Sequence, residues 1–479
     1  MTAQVRTSAR ADGWRELFAG RNAIFAVILA GGVALHAVNL YIAATVLPSV
    51  VSDIGGIEYY AWSTTLFVIA SILGSAFTPS LLGAQGPRVG YVVAAAIFTA
   101  GALTCAFAPS MPVLLAGRAV QGLGGGLFYA LAYAVTRMVF PEPLWPKALG
   151  LISAIWGVAT LAGPAVGGIF AEAGDWRAAF WSLAPLAIIF AIVAAIMMPP
   201  QAPRDRTEQP APLLQLVILT ASVLVLSAAS VSTSSAVVAS GIVVTLALVA
   251  GLLVVETKAR RRITPVGGLD PRLPMGAILA TVALFMIAMQ PEIFIPFLLQ
   301  TLHGQSPLIA GYIASLMAVG WTLASLATGK WSGDAAVRAI HAAPYIVLAG
   351  LVILAITLPA DSAGRPWVVP AISLALILVG FGIGMAWPHL VTRIFAASPP
   401  NQQTQAAGAI TTVQLYASAM GAAAAGMIAN ASGLVDPGGR SGAAQAAVAL
   451  CVSFGLAAAL AAFTVGRIGN KAASNKETK

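Results

Sequence analysis

Sixteen carboxylates are spread along the 479 residues of this chain, and all but one fall in polar segments or near the ends of apolar runs. The exception is Glu292, within FMIAMQPEIFIPFLLQ (285–300) and flanked by Pro291 and Pro296. Apolar surroundings favour the neutral form of a carboxyl group, so a proton can be taken up and released there near neutral pH. Such a group can trade its proton against a bound cation. The two prolines interrupt the local hydrogen-bond ladder and widen the space around it. The alternative is a carboxylate permanently paired with a polar neighbour, or one in a water-filled vestibule. The opposite charge is Arg118, in LLAGRAVQGLGGG (114–126), with Gln121 and Gly122 one turn further on. A charge inside an apolar run is costly and marks function, unless the arginine reaches outward to a polar boundary. Asn39, Tyr41 and Gln290 are polar groups at a depth comparable to Glu292, His36 is another on the first run, and Gln300, Gln414 and His389 are further, weaker ones. Trp62, Trp156, Trp387 and Phe285 offer aromatic faces that suit a lipophilic cation or simply pack.

A second pattern is backbone rather than side-chain chemistry. GVATLAGPAVGGI (157–169) sets four glycines and a proline into what should be helix. In a helix interior glycine costs about 1 kcal/mol and proline about 3 kcal/mol relative to alanine. Gly163, Pro164, Gly167 and Gly168 make a flat face that another backbone can approach closely, and Pro164 frees a carbonyl and bends the helix. Plain tight packing accounts for the pattern equally well.

The elements that must position these residues are membrane spans. Hydrophobic residues make up 59% of the chain and charged residues 9%, against roughly 25% charged in soluble proteins. Fourteen apolar runs approach the roughly 20 residues a span needs: 22–48, 59–83, 89–108, 111–136, 146–171, 176–198, 212–230, 235–256, 275–300, 307–329, 342–359, 366–392, 405–430 and 443–466. The first is too long for a signal-peptide core of roughly 7 to 15 residues and reads as a retained span. With the N-terminus in the cytoplasm, every one of the 25 Lys and Arg falls on the cytoplasmic side except Arg177, Arg365, Arg440 and the intramembrane Arg118. That is the positive-inside bias, and it puts both termini in the cytoplasm. The basic excess of +9 is therefore a topology signal and does not point to nucleic acid. The run Lys258–Arg262 reads as a cytoplasmic anchor.

The spans group as six, two and six. Residues 1–198 read as an N-terminal six-helix bundle, 199–274 as cytoplasmic linkers with two extra spans, and 275–479 as a C-terminal six-helix bundle with a cytoplasmic tail. LPSVVSDIGG (47–56) and IPFLLQTLHG (295–304) echo one another after the first and ninth spans. Repeated halves with a site between them near the midplane are the plan of alternating-access carriers. Cys105 and Cys451 both lie in apolar runs, so neither a disulfide framework nor a metal site is expected, and no cofactor is implied. No phosphate loop, serine elbow or metal cluster argues for an enzyme; GLGGG (122–126) lies inside a span without a flanking strand.

Arg118, Gln121, Gly122 and Gly124 together resemble the Arg-x-x-Gln-Gly-x-Gly of the fourth helix in the major facilitator superfamily. Gly150, Ala159, Gly163, Pro164, Gly167 and Gly168 resemble the fifth-helix motif of its antiporter branch, with alanine in place of the second glycine. The fourteen spans and VETKARRRITPVGGLDPR (255–272) further resemble its drug:proton antiporter group. The resemblance implies an all-α membrane protein of the major facilitator fold, two six-helix bundles plus two central helices. It implies proton-driven export of hydrophobic or cationic compounds by a monomer in a bacterial inner membrane, with small-molecule substrate, protons and the bilayer as partners. Glu292 and Arg118 would then serve proton coupling. Asn39, Tyr41, Trp62, Gln121, Trp156, Gln290 and Gln300 would line the cavity, and Gly150, Gly163, Pro164, Gly167 and Gly168 would seal the outer side. Two departures stand out. PSLLGAQGPRVG (79–90) has Gly83 where the family's loop is acidic, and Asn39 occupies a frequent acidic position of the first helix. A facilitator or exporter of a neutral metabolite or lipid, or a membrane sensor that does not transport, are the other readings.

Overall fold

The structure is a computed structural model and describes residues 13–200, 212–259, 262–399 and 402–468. Arg6, Arg10, Arg204, Arg206, Arg260, Arg261 and the C-terminal lysines, all counted in the charge bias, lie outside these residues.

Among the described residues, twelve helical segments are long and apolar enough to cross a membrane, and no strand is present. One of the twelve, Ile57–Ala106, has 50 residues, more than twice a bilayer's need. It breaks at Gly86, where φ is 77°, a value only glycine adopts freely. A further 29-residue helix, Met111–Val139, carries Arg118. With that break and that helix the fold is compatible with the fourteen expected crossings. They are α1 (Gly20–Ile54), α2 (62–85), α3 (87–106), α4 (Met111–Val139), α5 (Trp145–Glu172), α6 (Trp176–Met197), α7 (Leu213–Ser230), α8 (Ser235–Lys258), α9 (Pro274–His303), α10 (Pro307–Thr328), α11 (Gly333–Thr357), α12 (Val368–Ala397), α13 (Gln403–Ala429) and α14 (Gly439–Val465).

Lipid offers no hydrophobic drive to bring helices together, so close backbone approach at small residues does the work. α4 is wedged between α2 and α3 in this way. Gly122 and Gly126 lie against the backbone of Phe67 and Ser71 on α2, and Gly124 against Phe98 on α3. Gly125 faces the His36 ring of α1. The run GLGGG thus serves three neighbours at once. Ser71 and Ser75 of α2 tighten the contact by donating to the carbonyls of Gly122 (3.1 Å) and Gly126 (3.0 Å). α12 repeats the arrangement between α10 and α11: Gly380 and Gly384 meet Met317 and Trp321, Gly382 meets Ala343, and Ser325 donates to the Gly384 carbonyl at 2.9 Å.

The two sets of helices meet through α5 against α10, α2 against α13, and α1 against α9 and α10. α7 lies over the α2–α13 seam, and α8 packs outside it on α7. The meeting is uneven along the helices. At the end carrying the α1–α2 turn (the Glu58 side), Gly168 abuts Leu308, and Gly311 abuts Thr45 and Pro164. Tyr60 stacks on Phe294 with centroids 5.0 Å apart. Toward the other end (the Arg88 side) the same faces open. Thr322 and Leu326 continue the α10 face begun by Leu308 and Gly311, yet both are exposed, and nothing stands near Gly157 on α5. The halves are closed on the Glu58 side and splayed on the Arg88 side.

Candidate functional site

α9 changes character where it carries the candidate carboxylate. Pro291 cannot donate to the helical ladder, and Gln290–Phe294 winds as a tighter 3-10 turn between two α-helical segments. Glu292 sits in that turn, partly buried, and among the described residues no side chain donates to its carboxylate. Tyr41 of α1 is within electrostatic reach of it across the boundary between the halves. Tyr41 is held there by α5, because a Cβ at Gly163 would collide with the Tyr41 Cβ. The small-residue face of α5 therefore has two partners: Gly163 and Gly167 admit α1, while Pro164 and Gly168 admit α10. Gly150 faces Trp14, well away from either contact. α5 stays helical through Pro164.

Arg118 is not Glu292's partner. Its Nη1 donates to Gln121 Oε1 at 2.7 Å and Asn39 Oδ1 at 3.3 Å, its Nε donates to the Ser63 carbonyl at 3.3 Å, and the guanidinium lies 4.3 Å from the Phe67 ring centre. Arg118, Asn39 and Gln121 form one buried cluster in the N-terminal half, while Glu292 stands alone in the other half. Beside this cluster, His36 stacks between Phe67 (5.2 Å) and Tyr129 (5.6 Å), with Trp156 edge-on at 5.9 Å. The Tyr129 and Tyr133 hydroxyls lie 3.5 Å apart at the exposed margin of that aromatic group.

Three expected cavity residues sit elsewhere. Trp62 turns toward α7, its indole nitrogen donating to the Ser227 carbonyl at 3.1 Å. Gln290 is buried against Gly421 of α13, its amide donating to the Met286 carbonyl at 2.7 Å. Gln300 lines a separate vestibule of about 490 Å³ on the Glu58 side, with Asp53, Trp176 and Arg177. There the Arg177 guanidinium donates to Asp53 at 2.6 Å and lies over the Trp176 ring at 4.2 Å. Of the other aromatic candidates, Phe285 is wholly buried and Trp387 packs on Trp321. Sequence reasoning missed Phe67, Tyr129 and Tyr133; the tyrosines' spacing from Gly125, one and two turns along α4, was the available signal. Among the described residues, no group of three or more His, Cys, Asp or Glu gathers to hold a metal.

Two helical halves packed about a central seam, with lone ionisable groups inside each, define a polytopic membrane carrier. A family model described as Major Facilitator Superfamily matches residues 29–422. The chain belongs to the major facilitator superfamily and is a multi-pass membrane transporter, a class apart from enzymes. A Mycobacterium tuberculosis protein named as a probable multidrug-efflux transporter is 34% identical over 432 residues, covering 88% of this chain and 91% of its own. A Bacillus subtilis multidrug transporter protein is 25% identical over 359 residues, covering 74% of this chain and 65% of its own. Among solved structures, a D-xylose–proton symporter superposes with a TM-score of 0.63 at 15% identity, covering 93% of this chain and 97% of its own. A POT family transporter does so with 0.66 at 13% identity, covering 93% and 96%. At such identities these two establish the fold.

Proposed function

We propose that this transporter is a proton-driven exporter of hydrophobic or cationic compounds in a bacterial cytoplasmic membrane, working as a monomer with both termini in the cytoplasm. In that orientation the closed Glu58 side faces out and the splayed Arg88 side faces in, so the conformation is inward-open. The bundle of residues 1–198 rocks against that of 275–479 about a midplane site, with 199–274 supplying linkers and the two extra helices. Tyr41 and Trp156 contribute to the cavity wall. Arg118, with Asn39 and Gln121, sets the field of the N-terminal half, and the glycines of α5 carry the outer closure.

One observation carries the proton coupling: among the described residues Glu292 is the one carboxylate well inside a span, and no donor holds it ionised. A proton and a cationic or polar part of the substrate can exclude one another at such a group. The kinship to a protein named as a probable multidrug-efflux transporter supports the substrate class and the direction, and that to one named as a multidrug transporter supports the substrate class. The test uses purified protein in liposomes with an imposed pH gradient. Internal pH is followed as lipophilic cations and neutral compounds are added. Compound-dependent proton movement that Glu292→Gln removes is the expected result. Compound movement without protons would instead establish a facilitator.

A further inference from the structure

A guanidinium cannot shed its proton in a protein, so a buried arginine needs negative charge or a full set of acceptors around it. Arg118 is 1% exposed and has neither. Its described acceptors are all neutral, the Ser63 carbonyl and the amide oxygens of Asn39 and Gln121. Its Nη2 donates to no described residue. The Phe67 ring offers a quadrupole but no anion.

The two amides compound the imbalance. Each turns its oxygen to the same Nη1, an orientation the positive charge dictates. Each is thereby left with an NH₂ group that is buried and has no partner among the described residues: Asn39 Nδ2 and Gln121 Nε2. Buried donors without partners are rare in native proteins and call for an occupant. Here both belong to amides bound to a single fixed cation. Asn39, 3.3 Å from the guanidinium, stands where an aspartate would have neutralised it from within the chain.

We propose that the Arg118–Asn39–Gln121 cluster is a binding site for one negatively charged group, a halide-sized anion or a carboxylate. Nη2 and the two amide NH₂ groups donate to it. The group is either a free inorganic anion that stays with the protein or the acidic moiety of a transported compound; only the second source rests on the export reading above. Such a site would make amphipathic acids and zwitterions better cargo than simple cations in the N-terminal half of the cavity.

The test needs no transport assay. The full chain is purified into nanodiscs and its melting temperature followed at constant ionic strength while the sodium salt of a bulky sulfonate, HEPES, is replaced by sodium chloride, and separately by sodium benzoate. Chloride or benzoate at millimolar levels is expected to raise the melting temperature by a few degrees. Asn39→Asp, which supplies the anion internally, is expected to melt higher in the HEPES salt and to lose the response. Gln121→Glu is the second variant should that one fail to fold. A response to chloride alone assigns a resident ion. A larger response to benzoate, with benzoate flux into proteoliposomes above that into protein-free liposomes, assigns the acidic group to cargo. A wild-type melting temperature indifferent to both salts overturns the proposal, as does a full chloride response in the carboxylate variants. Failure of the Glu292 experiment would leave this result standing.

Discussion

Glu292 and Arg118 are each held in a way that suits a different task. Glu292 is partly buried and has no donor among the described residues, so its charge can change without breaking a bond there. Arg118 is fixed through three acceptors and an aromatic face, so its charge is permanent and its position constant. Glu292→Gln keeps the shape of the side chain and removes its titration. It is expected to fold, with a melting temperature within a few degrees of wild type, and to lose compound-driven proton movement. A variant that still moves protons would exclude Glu292 from coupling. At this scale the sequence was informative about depth and silent about direction. Glu292, Arg118 and Asn39 could be singled out because a polar group in an apolar run announces itself. The same ground assigns Trp62, Gln290 and Gln300 to the cavity, and each faces somewhere else. In water, polar periodicity tells which face of a helix looks inward; in lipid the outer face is apolar too, and that cue is lost. Phe67 and Tyr129 escaped notice for the same reason, being aromatic residues among many.

Among the elements, α5 ties local composition to global state. Its glycines let α1 and α10 approach on adjoining faces, which answers why a helix should carry so many residues that weaken it. The sequence made the close approach legible but not the identity of both partners, since that depends on the turn of α5 in the assembled bundle. A Cβ at Gly163 meets that of Tyr41, and one at Gly168 meets Leu308. Gly163→Leu is accordingly expected to cost at least about 1–3 kcal/mol through overpacking and to abolish transport; calorimetry or a thermal assay measures the first effect and flux the second. At the end of the same helix, the Glu172 carboxylate accepts from the Leu308 backbone N–H at 3.3 Å, capping α10 across the seam. Removing that contact by Glu172→Ala should shift the population toward opening of the Glu58 side by up to about tenfold, a hydrogen bond's net worth. Labelling rates of a cysteine placed at Ser49 in the vestibule, with and without the substitution, would measure the shift; unchanged rates would count against a latch.

For the whole molecule, the extra pair α7–α8 raises the question of which half it follows. Its polar ties run mainly to the C-terminal side. Ser222 Oγ lies 2.9 Å from Tyr416 Oη, and Asn430 of the turn after α13 donates to the Ser230 carbonyl at 3.0 Å. At the far end the buried Glu256 accepts from the Thr264 N–H at 2.7 Å, and Gln405 of α13 donates to the Thr264 carbonyl at 3.0 Å. The N-terminal half offers Trp62 to Ser227 and an apolar face of Phe67, Ile69 and Ile72. The pair should therefore ride with the C-terminal half while α2 slides past it. A disulfide between cysteines at 222 and 416 should leave transport near wild-type levels; one between 62 and 227 should arrest it, with recovery on reduction. Equal effects of both cross-links would refute this division. None of it could be read from the chain, where the pair appears only as two extra spans among cytoplasmic linkers.

Because α7 covers the α2–α13 seam and no described helix covers the α5–α10 seam, the two flanks of the molecule meet the bilayer differently. On the first flank the moving joint is insulated by protein. On the second, Val158, Leu161, Tyr312 and Leu323 are exposed apolar side chains beside the joint, a surface suited to acyl chains. Chain length, unsaturation and lateral pressure therefore have one route by which to bias the rocking, and the same flank is where a lipid tail could wedge between the halves. The inserted pair converts a carrier with two lipid-sensitive edges into one with a single such edge, so that membrane composition acts on it with a sidedness within the bilayer plane.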